Sequence, residues 1–120
     1  MRTKPPASIF GRRLREARLR RDIPQDKLGV MVGLDEGTAS ARISRYETGT
    51  HAPPFDMAVR LAAILEVPVP YFYCDDESLS EVVLAWSKLS AEGRARMKIY
   101  LEREIQQAGD DMNRKPDSFT

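Results

Sequence analysis

Apolar residues recur along this chain at three- and four-residue intervals, the spacing of one face of an α-helix. Ser8 can cap a first helix that reaches about Arg21, with Phe10, Leu14 and Ala17 as its apolar stripe and arginine over most of the rest. Ile23-Pro24 breaks the chain. A short second helix, about Gln25 to Val32, buries Leu28 and Val32, and Gly33 ends it in a left-handed conformation. Leu34 to Ala39 reads as a turn, because Asp35, Glu36, Gly37 and Thr38 offer caps and a flexible glycine. A third helix runs to about Thr48 with Ala39, Ile43 and Tyr46 inward, and Gly49 stops it. Pro53 and Pro54 stiffen the loop before a fourth helix, about Phe55 to Leu65, with Met57, Leu61 and Ile64 or Leu65 inward. Tyr71, Phe72 and Tyr73 predict one more short helical turn that closes the core.

A second pattern follows. Ser78 and Glu81 fit the capping box S-x-x-E, and Leu79, Val82, Val83, Trp86 and Leu89 then make a wide apolar stripe. Ser90 can cap a last helix, about Ala91 to Ala108, with Met97, Tyr100 or Leu101, and Ile105 on one side and Gly109 at its end. No strand signal and no internal repeat occurs, so the fold class is all-α. The expected organisation is a flexible basic arm at 1–7, a compact domain at 8–75, a helical segment at 76–108 and a polar, disordered tail at 109–120.

Composition sets limits on this picture. The chain has 120 residues, 42% hydrophobic and 31% charged, which suits one soluble domain with an appendage. No apolar run approaches the ~20 residues of a membrane span, and Met1 to Ala7 lead into no signal-like apolar stretch. The single cysteine, Cys74, can form neither an internal disulfide nor a multi-cysteine metal site. A cytoplasmic location is the expectation. The net charge of +1 hides an asymmetry: residues 1–60 hold 12 Lys and Arg against 7 Asp and Glu, while residues 61–120 hold 7 against 11. The first half, at +5, would attract a polyanion that the second, at −4, would repel.

Residues 10–73 carry the specific signal. They contain Leu14-Arg15-Glu16-Ala17-Arg18, then Ile23-Pro24-Gln25-Asp26-Lys27-Leu28-Gly29, then Ile43-Ser44-Arg45-Tyr46-Glu47-Thr48-Gly49, then Pro53, then Leu61-Ala62-Ala63-Ile64-Leu65-Glu66-Val67. This combination resembles the Cro/repressor-like (XRE) helix-turn-helix family, over a little over half of the chain. The resemblance implies a five-helix lambda-repressor-like domain that binds double-stranded DNA and regulates transcription. Three departures stand out: about four extra residues precede the Ile-Ser-Arg run, Gly29 stands where the family has alanine, and Pro24 replaces a capping Ser or Asn.

The major groove is about 12 Å wide and admits one α-helix. In this family the third helix would lie there, held by the second. Its outward residues would include Ser40, Ala41, Arg42, Ser44 and Arg45, and Arg42 and Arg45, three apart, share a face. Arginine can bond O6 and N7 of guanine together, serine can bond base or phosphate, and alanine can touch a thymine methyl. Ser40, Ala41, Arg42 and Arg45 are therefore the candidate base contacts. The resemblance assigns phosphate contact to Gln25, with Ser44, Thr48 and Thr50 as further candidates. Arg12 and Arg13, with Arg2 and Lys4 of the arm, would add nonspecific attraction to phosphate, or the arm would enter a minor groove. Glu47 resembles a family glutamate that pairs with an arginine of the first helix, here Arg18.

Other residues read more plainly. Tyr46 follows the apolar spacing of the core, His51 is a lone loop histidine, Cys74 is a small apolar filler, and Asp75-Asp76-Glu77 place favourable charge at a helix start. No nucleophile–base pair, phosphate loop or metal pattern is present, so neither enzymatic activity, cofactor nor metal is expected. A large ligand-sensing domain is not expected, nor is a small-molecule effector. The stripe Leu79, Val82, Val83, Trp86 and Leu89, with Met97, Tyr100, Leu101 and Ile105, either packs back on the domain or forms a homodimer interface. The second is favoured, because twofold dimers are the commonest oligomers. A dimer would place two recognition helices on the half-sites of a palindromic operator. Two rival functions are an antitoxin whose C-terminal helices bind a toxin, and a protein–protein adaptor that has lost DNA binding.

Overall fold

The computed structural model describes residues 8–114. They form helices α1 (Ile9–Arg20), α2 (Gln25–Met31), α3 (Ala39–Thr48) and α4 (Phe55–Leu65), a 3₁₀ turn (Val69–Tyr73), α5 (Glu77–Ser87) and α6 (Ala91–Asn113), with no strand. The expected arm at 1–7 lies outside these residues, as do 115–120 of the expected tail. No helix among the described residues is long and apolar enough to cross a membrane.

Two compact units result, with their boundary between Ser87 and Lys88. The expected boundary after Asp75 is therefore too early: α5 belongs to the first unit. The reason is packing, since Val83 and Leu84 lie against the hydrophobic core of that unit and Ser80 is buried.

The core of the first unit takes one stripe from each helix. Leu14 of α1, Leu28 of α2, Ile43 of α3 and Leu61 of α4 are fully buried, with Tyr71 and Phe72 of the 3₁₀ turn. Each such side chain contributes about 1.5–3 kcal/mol by leaving water. Phe10 joins the beginning of the domain to its end, with ring centroids 4.7 Å from Phe72 and 5.4 Å from Tyr73.

Backbone chemistry fixes the helix ends. Ser8 Oγ accepts from the Gly11 amide at 2.9 Å and caps α1. After α2, Gly33 adopts φ 96°, its amide donates to Val30 O and the Leu34 amide donates to Gly29 O, both at 2.9 Å. These two bonds form the left-handed stop expected at this glycine. A turn from Asp35 to Thr38 follows, closed by the Thr38 amide on Asp35 O at 3.0 Å, and α3 begins at Ala39. The extra residues thus form a longer turn and leave α3 with ten residues.

The first helical turn of α5 differs from expectation. The cap is Asp76, whose Oδ1 accepts from the Leu79 amide at 3.0 Å, not Ser78, which is exposed. A carboxylate cap two residues earlier adds favourable charge at the positive end of the helix.

In the second unit Ser90 Oγ accepts from the Gly93 amide at 3.0 Å and caps α6 as expected. The helix does not stop at Gly109 but continues to Asn113, so residues 109–113 are helical and not part of a disordered tail. Glycine costs a helix roughly 1 kcal/mol. Hydrogen bonds from Gln106 to Asp110 and from Gln107 to Asp111, each 3.2 Å, span that point and offset the cost.

Candidate nucleic-acid interface

The site begins with how α3 is held. Gly29 of α2 lies so close to α3 that a Cβ there would stand 2.5 Å from Ala39 Cβ. Even the alanine that the family has at this position would overlap. Gly11 of α1 likewise leaves no room, because an added Cβ would overlap the carbonyl oxygen of Glu47. Glycines without side chains therefore bring both supporting helices into backbone contact with α3.

Charge completes the attachment. Glu47 is fully buried. Its Oε2 accepts from Arg18 Nε at 2.5 Å, and its Oε1 accepts from Arg18 Nη2 at 3.1 Å, Arg15 Nε at 3.3 Å and Gln25 Nε2 at 3.1 Å. One carboxylate so binds α1, α2 and α3 together. Arg18 also donates from Nη1 to Ile23 O at 3.0 Å. A buried charge is costly unless paired and hydrogen-bonded, and these four bonds meet that demand. Among the described residues no buried side-chain nitrogen or oxygen lacks a partner. Arg15 was not anticipated, although Gly11, Arg15 and Arg18 stand at i, i+4 and i+7 and so share a face of α1. Gln25, assigned to phosphate by resemblance, turns one N–H inward to Glu47.

With its inner side fixed, α3 presents the other. Ser40, Ala41 and Arg45 are exposed, and Arg42 and Ser44 are half-buried. Arg42 lies back along the helix: Nη2 donates to the Tyr46 hydroxyl at 3.2 Å, and the guanidinium carbon is 5.9 Å from the ring centroid. Tyr46 is otherwise core, as its spacing predicts. Arg42, Arg45, Tyr46, His51, Ala52 and Pro54 line a shallow cleft between α3 and the following loop. That loop is pinned by the His51 amide on Arg45 O at 3.2 Å, and the hydroxyls of Thr48 and Thr50 meet at 3.0 Å.

Arg12 and Arg13 lie elsewhere. Arg13 is fully buried and donates from Nε to Cys74 O at 2.8 Å and from Nη2 to Asp75 O at 3.2 Å. Its Nη1 donates to Glu16 at 2.9 Å and to Glu77 at 3.0 Å, and the guanidinium sits 5.6 Å from the Tyr71 ring centroid. Burial alone would lower its pKa, but hydrogen bonds and charge from Glu16 and Glu77 outweigh it and hold the guanidinium above its usual range. Arg12 pairs with Asp75 at 3.0 Å and reaches Glu77 at 3.8 Å. The expected contact of Arg13 with phosphate is thus corrected, because its side chain has no exposed surface left to offer. Arg12 is engaged by the acidic run that follows the 3₁₀ turn but keeps a side chain that is 39% exposed.

The expected dimer residues also divide. Val83 packs on the core of the first unit and Trp86 is half-buried, whereas Leu79 and Val82 of α5 are exposed. Leu89 is exposed, and so are Met97, Tyr100, Leu101 and Ile105 of α6. Cys74 is buried, its thiol 3.5 Å from Asp76 O.

The sequence matches a family described as a helix-turn-helix domain over residues 9–70. No curated protein matches it. Among solved structures, the crystal structure of transcriptional regulator BswR is similar, with 41% identity and a TM-score of 0.68 over 81% of this chain and 92% of that one.

Proposed function

We propose, from the premise that this chain belongs to the helix-turn-helix domain family, that it regulates transcription by binding specific sequences of double-stranded DNA as a homodimer. The observation that carries this reading is the locked, outward-facing α3, with Ser40, Ala41 and Arg45 free of the core and Arg42 beside them. In the major groove Arg45 and Arg42 donate to guanine, Ser40 to base or phosphate, and Ala41 rests against a thymine methyl. Ser44, Thr48 and Thr50 bond the flanking phosphates, and Gln25 uses the N–H that Glu47 leaves free. The exposed apolar faces of α5 and α6, Leu79 and Val82 with Leu89, Met97, Tyr100, Leu101 and Ile105, supply the contact between copies. Two such copies read half-sites of a palindromic operator about 34 Å apart, or a multiple of that spacing.

Selection of bound duplexes from a random pool, followed by anisotropy titration, tests this. The expected outcome is a selected palindrome bound far more tightly than random DNA. Arg45→Ala should weaken that palindrome about 5- to 150-fold, since one bidentate arginine–guanine contact is worth ~1–3 kcal/mol. Its melting temperature and its affinity for random DNA should stay close to the parent's. Equal affinity of parent and variant for the selected site would remove Arg45 from the interface.

A further inference from the structure

We infer that α6 pairs with α6 of a second copy in the antiparallel direction, across a twofold axis that passes close to Leu101. This orientation rests on the homodimer proposed above. At 100° per residue, Met97, Leu101, Ile105, Ala108 and Met112 fall within about 40° of a single line along the helix. The four large ones are 40%, 51%, 70% and 86% exposed in sequence order, so the stripe is uncovered over its whole length. Such a surface needs a partner.

Charge decides which partner and which direction. Residues 91–98 carry Glu92 against Arg94, Arg96 and Lys98, a net +2, while residues 99–113 carry Glu102, Glu104, Asp110 and Asp111 against Arg103, a net −3. The centres of these poles lie about 16 Å apart along the helix at 1.5 Å per residue. That exceeds the ~8 Å screening length at physiological salt, so apart from the adjoining Lys98 and Glu102 the poles do not neutralise each other within one helix. They also run against the helix's own dipole, which favours anions at the N-terminus and cations at the C-terminus. A parallel copy would stack like on like. An antiparallel copy lays each basic pole on an acidic one and relieves the dipole conflict at both ends. About Leu101, Met97 then meets Ile105 of the other copy. Lys98 and Glu102, which lie on the same flank some 40° apart, face each other across the axis.

Cysteine cross-linking of the full chain in a Cys74→Ala background tests the orientation. A disulfide needs Cα atoms about 4.4–6.8 Å apart. In the antiparallel pair Leu101→Cys links to itself, and a mixture of Met97→Cys and Ile105→Cys chains links between variants. Met97→Cys alone does not link, because its two copies are displaced by eight residues, about 12 Å. Self-linking of both Met97→Cys and Ile105→Cys means parallel helices and overturns the orientation while the dimer stands. Absence of any link in a chain that still sediments as a dimer removes α6 from the interface. A parent chain that sediments as a monomer at micromolar concentration overturns the dimer itself. Lys98→Glu adds a second reading that does not depend on cysteine geometry. It should weaken the dimer about fivefold, whereas in a parallel pair it would reduce the repulsion between the stacked basic poles and tighten the dimer.

Discussion

Helix α1 carries two pairs of arginines that do opposite electrostatic work. Toward its C-terminal end, Arg15 and Arg18 surround a buried anion, Glu47. Toward its N-terminal end, Arg13 is itself the buried charge, and Arg12 stands beside it. Glu47 depends wholly on donors that are themselves largely buried: the Arg18 side chain is 11% exposed and Arg15 24%. The carboxylate partners of Arg13 are 36% and 64% exposed and would regain water if it were removed. The first cluster fixes α3, the helix proposed to read DNA, and the second ties residues 74–77, at the start of α5, to α1. Accessibility of the partners, more than the number of bonds, separates a contact that cannot be broken cheaply from one that can.

The largest test of that contrast is Glu47→Ala. It leaves two arginines and Gln25 facing an emptied site, and urea unfolding should show a loss of about 3–5 kcal/mol. Arg13→Met keeps the volume and removes the charge. It strips Cys74 O and Asp75 O of their donors while Glu16 and Glu77 rehydrate, so the loss should be about 2–3 kcal/mol. An Arg13→Met loss larger than that of Glu47→Ala would reverse the ranking and with it the argument from partner exposure. Tyr71→Phe probes the same cluster more gently. The hydroxyl donates to Glu16 Oε2 at 3.1 Å, and its loss should cost about 1 kcal/mol.

The same variant carries a pH signature. Burial, aided by Glu16 and opposed by Arg20, raises the Tyr71 phenol above its usual 10.0. On raising the pH the unfolded chain loses this proton first, so stability should fall as the pH climbs past 10. Phenylalanine should flatten that part of the profile in chemical denaturation at stepped pH. Arg12→Ala, which removes an exposed pair with Asp75, should change stability by no more than about 1 kcal/mol in the same assay.

Legibility from sequence follows the same division. The helices and their inner faces were readable because Phe10, Leu14, Ala17, Ala39, Ile43 and Tyr46 keep a period that only a helix buries on one side. Glu47 and Arg18 were readable because the motif around them is specific. Arg12 and Arg13 were not: nothing local distinguishes a buried arginine from a solvated one, and apart from Glu16 their partners lie more than sixty residues away. The α5 cap was misplaced because Ser78 and Asp76 are both competent caps, and long-range contacts decide between them. The exclusion of any side chain at Gly29 was hidden too, since helix propensity alone favours alanine there.

The Gly29–Ala39 contact has a practical consequence. Two helices whose backbones touch cannot slide or rotate past each other without opening a gap, so the pair behaves as a rigid printing block. The letters it carries, at Ser40, Ala41 and Arg45, project from the side away from that contact. On the proposed reading, a library randomised at these three positions alone would sample new sequence preferences on an unaltered scaffold.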